Sequence, residues 1–103
     1  MNEERMSSAE AKEYILALLT TLKLTEAEIR SLDGEAAKWE HRTDLARSQG
    51  KNDLLAGAEK EIERVNAKKT KLLEEAESHK IEIEKMRKQL PGIAARERSI
   101  DTI

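Results

Sequence analysis

Two stripes of mostly apolar residues run along this chain at alternating steps of three and four. The first is Ile15, Leu18, Leu22, Thr25, Ile29, Leu32, Ala36, Trp39, Thr43 and Ala46. The second is Leu55, Ala58, Ile62, Val65, Lys69, Leu72, Ala76, His79, Ile83, Met86 and Leu90. A 3.5-residue period belongs to helices that wind around a partner. Between the stripes lies Ser48-Gln49-Gly50-Lys51-Asn52-Asp53, the strongest turn signal in mid-chain. The pattern predicts an all-α fold, a long antiparallel two-helix coiled-coil hairpin.

Folding the chain back at this turn tests the prediction. With Ala46 opposite Leu55, Thr43 faces Ala58, Trp39 faces Ile62, Ile29 faces Leu72 and Ile15 faces Met86. Every seam position on one helix then meets a seam position on the other. The same register puts Arg42 near Glu61 and Glu35 near Lys68, and Glu84–Lys88 supports its own helix at i,i+4. Lys69 and His79 are the polar exceptions, tolerated by a half-wet seam, with Lys69 extending its ammonium to water.

The expected organisation is a frayed N-terminus at 1–8, a hairpin at 9–90 and a C-terminal tail at 91–103. Within the hairpin the first helix covers 9–47, the turn 48–53 and the second helix 54–90. Ser7 and Ser8 are candidate N-caps for the first helix, and Asn52 or Asp53 for the second. Gly50 suits a left-handed helix end. Pro91-Gly92 is expected to stop the second helix, leaving Ile93, Ile100 and Ile103 in a loose or short helical tail. Gly34 falls off the seam and is tolerated at a cost of about 1 kcal/mol.

Composition narrows the function classes. Charged residues make up 39% and aromatic residues 2% of the 103-residue chain, too few large apolar side chains for a globular core but enough for a seam. The formal charge is −2 with both signs interspersed, so no basic patch points to nucleic acid. Cysteine is absent, which excludes disulfides and thiolate metal sites and fits a reducing, cytoplasmic setting. His41 and His79 have no ligand-spaced companion, the glycines build no phosphate loop, and no nucleophile has a base and orienter. The reading is a non-enzyme without cofactor or metal.

Leu16, Leu19, Leu24 and Ile81 fall off the stripes near the free ends of the hairpin. Two helices cannot cover them, so the expectation is a homo-oligomer, two hairpins forming a local four-helix bundle through these residues.

Around the turn the chain reads W-x5-L-A-x6-D-L-x3-A, from Trp39 through Leu45-Ala46 and Asp53-Leu54 to Ala58. This resembles the hairpin tip of the phage shock protein A and vesicle-inducing protein family, and the likeness covers about residues 9–90. The resemblance implies a structural or regulatory role in membrane-stress response or assembly through protein–protein contacts, with Trp39, Arg42 and Asp53 at the docking tip. It also implies peripheral membrane association. The first dozen residues, with Glu3, Glu4 and Glu10, do not form the lipid-binding amphipathic helix of that family. The alternative is an unrelated coiled-coil adaptor or chaperone-like hairpin that binds a partner helix.

Overall fold

The computed structural model describes residues 6–101, with side chains through residue 99; residues 1–5 of the expected frayed start, the Ile100 side chain and Ile103 lie outside it. Among the described residues there are two helices, α1 (Ser8–Ser48) and α2 (Asn52–Asp101), and no strand. Every position of both stripes is buried or half-buried. The packing of the described residues divides into a tip unit, residues 25–75, and a terminal unit, residues 6–24 and 76–101.

In the tip unit α1 and α2 run antiparallel about a three-residue turn. Gly50 has φ of 67°, a left-handed conformation that costs an L side chain energy. Its N–H donates to the Arg47 carbonyl at 3.2 Å, and the Lys51 N–H donates to the Ala46 carbonyl at 2.9 Å. These two bonds form a Schellman end, which satisfies carbonyls that helix termination would orphan. The Lys51 carbonyl accepts from the Leu55 N–H at 3.0 Å, so Lys51 holds the cap position of α2. Asn52 and Asp53, expected as caps, instead stand within the first turn, where the Asp53 charge favours the positive end of the helix dipole.

The seam of this unit is narrow: Thr25, Leu32, Thr43, Ala46, Ala58 and Val65 are buried. Thr43 returns its hydroxyl to the Trp39 carbonyl at 2.9 Å, so no polar group is stranded there. Ion pairs flank the seam. Arg64 reaches Glu35 at 2.6 Å and Glu61 at 2.9 Å, Lys68 reaches Glu28 at 3.4 Å, and Lys69 reaches Asp33 at 2.5 Å. The hydrogen bond that Arg64 donates to Glu61, then the one it donates to Glu35, pushes its guanidinium further toward the charged form. These partners correct the expected Arg42–Glu61 and Glu35–Lys68 pairs. Long side chains reach along the opposite helix, Lys68 by five residues to Glu28, so residues level in register need not touch. Lys69 ends on a carboxylate of the facing helix as well as near water.

The terminal unit has a heavier seam. Ala11, Ile15, Leu22, Ala76, Ile83, Met86 and Ile93 are buried. Ser7 caps α1: its Oγ accepts from the Glu10 N–H at 3.0 Å, and its own N–H donates to Glu10 Oε1 at 3.2 Å. This is a reciprocal capping box. Met6 and Ala11, both buried, occupy the two positions of a hydrophobic staple around it.

α2 does not stop at Leu90. It continues through Pro91 and Gly92 to Asp101, which corrects the expected tail. Pro91 forfeits one helix bond and costs about 3 kcal/mol or more inside a helix. Pro91, Gly92 and Arg87, whose carbonyl loses its donor, are all exposed, so water can replace that bond. Against this cost stands burial of Ile93, about 1.5–3 kcal/mol for a side chain of its kind. Glu97 adds two bonds to the start of α1, from Ser8 N–H and Ser8 Oγ, each at 2.5 Å. The three-four alternation itself runs on from Leu90 to Ile93 and Glu97 without a break.

Candidate functional site

The turn region carries a shallow apolar groove of about 270 Å³, lined by Trp39, Arg42, Leu45, Ala46, Gln49, Leu54 and Ala58. Its construction follows from the local sequence. Ala46 and Ala58 are small, buried seam residues. Leu45 and Leu54 each precede a seam residue, so each sits on a flank rather than inside. They remain 45% and 61% exposed. Trp39 is half-buried, flanked on the stripe by Ala36 and Thr43. α1 thus supplies Trp39, Arg42, Leu45 and Ala46, the turn supplies Gln49, and α2 supplies Leu54 and Ala58.

Arg42 lies over the Trp39 ring, 4.4 Å from its centre. A cation over an aromatic face is attracted by about 0.5–1 kcal/mol at an exposed site. Asp44 pairs with Arg47 at 3.4 Å, not with Arg42. Among the described residues, none of the ion pairs engages Arg42.

The structure therefore brings two of the three predicted tip residues together, Trp39 and Arg42. Asp53 is exposed and lines a separate polar dimple with Gly50, Lys51, Asn52 and Leu54. Leu45 and Leu54 are motif positions in the sequence but not among its predicted docking residues, and Gln49 is not among them either. The available signal was the pair of leucines just before Ala46 and Leu55, on the two sides of the turn.

The second predicted surface belongs to the terminal unit. Leu16, Leu24 and Ile81 are exposed, whereas Leu19 is half-buried and is removed from that patch. Charged neighbours Glu77, Lys80, Glu84 and Lys88 surround Ile81 on its own helix. Among the described residues, no group of three or more His, Asp or Glu converges as a metal site, and no helix is long and apolar enough to cross a membrane.

Comparison with protein-family models, curated proteins and solved structures gives no match.

Proposed function

We propose that this chain is a non-catalytic helical-hairpin protein that works through protein–protein contacts, with the groove at the turn as its docking surface. The observation that carries the reading is the exposure of Leu45 and Leu54 beside Trp39 in one groove. Apolar side chains clustered around an aromatic anchor are the composition of interface hot spots. The resemblance of the Trp39–Ala58 segment to the phage shock protein A tip supports a role in membrane-stress response or assembly. The groove equally supports the second reading, an unrelated adaptor that binds a partner helix, because a cleft between two helices accepts a third.

A photo-crosslinking residue at position 54, compared with one at position 71 on an exposed face of α2, tests the docking surface in the native cell. A discrete protein adduct is expected at 54, absent at 71 and lost with Trp39→Ala. Equal adducts at both positions, or none at 54, overturn the reading. An adduct that increases when the membrane is stressed favours the first role; one indifferent to stress favours the adaptor.

A further inference from the structure

We infer that the groove at the turn takes a partner α-helix presenting apolar anchors over Leu45 and Leu54, with a carboxylate about one turn away facing Arg42. This deepens the docking reading above and rests on it.

The shape of the groove selects a helix. Its first wall runs from Trp39 in α1 to Gln49 in the turn, eleven residues separated by ten steps, or about 15 Å at 1.5 Å per residue. That length matches about ten residues of a second helix, with contacts at i, i+3 or i+4, and i+7. An extended peptide finds no purchase here, because both walls are helices whose backbone groups bond internally and offer no strand edge. The small Ala46 and Ala58 at the floor permit close approach, while Leu45 and Leu54 rise on either side as walls for an apolar knob.

Charge selects the second element. Arg42 is the charged residue of the groove lining, and none of the ion pairs among the described residues engages it. Arg42 has instead the face of Trp39. Stacking occupies the plane of a guanidinium and leaves its N–H edges free, in a fork that fits a carboxylate. A partner acid at that point would complete an ion pair next to the apolar contact, fixing the partner's direction along the groove. A lipid surface is a poorer fit. Between residues 39 and 58, Arg42, Arg47 and Lys51 are offset by Glu40, Asp44 and Asp53, so no basic excess draws anionic headgroups.

Trp39 is the only tryptophan in the chain, so its fluorescence reports the groove directly. The probes are helical Ala/Gln peptides with leucines at i, i+4 and i+7 and one charged residue a turn beyond them, placed at either end. Glu and Lys versions are titrated at low salt. Saturable binding is expected, with the better Glu peptide about fivefold tighter than its Lys counterpart, the scale of one exposed ion pair. Arg42→Gln should bring the two within about twofold of each other, and Leu54→Glu should abolish both. Circular dichroism checks that these variants, both at exposed positions, keep their helices.

Equal binding of the Glu and Lys peptides, a preference that survives Arg42→Gln, or no saturable binding of any leucine peptide overturns the inference. So does an equal fluorescence response to vesicles of anionic phosphatidylglycerol. An adduct at position 54 in the cell together with any of these outcomes leaves docking standing and removes only the partner chemistry. Failure of both removes the docking surface itself.

Discussion

Both units leave large apolar side chains outside, and the terminal unit buries more of them than the tip unit does. At the tip the buried positions include Thr25, Thr43, Ala46 and Ala58, while Leu45 and Leu54 stand exposed. In the terminal unit Ile15, Leu22, Ile83, Met86 and Ile93 fill the seam, although Leu16, Leu24 and Ile81 remain outside as well. Cross-helix polar links differ too. The tip uses ion pairs between exposed side chains, each worth about 0–1 kcal/mol. The terminal unit joins Ser8 to Glu97 and buries His79 Nδ1 and Gln89 Oε1 with no hydrogen-bond partner among the described residues. The lesson is that one heptad rule serves two purposes. Where seam residues are small, their large neighbours on the flanks line a groove; where seam residues are large, more apolar surface is buried between the helices.

The contrast predicts that the same kind of truncation costs more in one unit than in the other. Met86 and Val65 are both fully buried, one in each unit. Met86→Ala removes more buried volume and should cost about 2–5 kcal/mol, with Val65→Ala well below it. Urea unfolding gives both values, and amide exchange shows where protection falls. A larger loss for Val65→Ala would reverse the comparison and make the tip seam the main source of stability.

The next effect in size belongs to the turn. An added Cβ at Gly50 meets nothing within 4 Å, so the penalty of Gly50→Ala is backbone strain alone at φ of 67°. The left-handed conformation costs a residue with a side chain about 1–2 kcal/mol. A matching fall in stability by thermal unfolding is expected, partly recovered by Gly50→Asn. No change in either variant would mean that the chain turns without a left-handed residue.

Both seams were legible in the sequence because period is a property of consecutive residues. Ile15 to Ala46 and Leu55 to Leu90 could be read without knowing what lay opposite, and Gly50 could be read from conformational freedom alone. The end of α2 was misjudged because the proline rule is local. Pro91 is a poor helix residue, yet the phase from Leu90 to Ile93 and Glu97 passes through it, and tertiary burial outweighs propensity. The groove was half legible. Trp39 and Arg42 lie three apart on one helix, a spacing visible in sequence. Their union with Leu54 crosses the turn and depends on the rotation of each helix about its axis. Asp53 entered through likeness to a motif, and its side of the helix was not fixed by that likeness. Arg64 was missed as the partner of Glu35 because register orders Cα positions, whereas a guanidinium is held several bonds from its own backbone.

The smallest effect is confined to the chain ends and is set by pH. Two hydrogen bonds from Ser8, first the hydroxyl and then the amide, hold the Glu97 carboxyl below the ordinary glutamate value of 4.5, and Lys12 adds attraction. Folding therefore favours the ionised form. The stabilisation is present above the ordinary value and is lost as pH falls through the lower folded one. The Ser8 amide resonance should titrate below pH 4.5, and Glu97→Gln should flatten that titration while leaving Gly50 at the tip unmoved. The Ser7 amide, bonded to Glu10, serves as an internal control for the local capping box. A Ser8 amide that stays fixed below pH 4.5, or that still titrates in Glu97→Gln, would show that Glu97 does not hold it. In that case burial of Ile93 would have to carry α2 past Pro91 unaided, and Ile93→Ala should melt the segment beyond it.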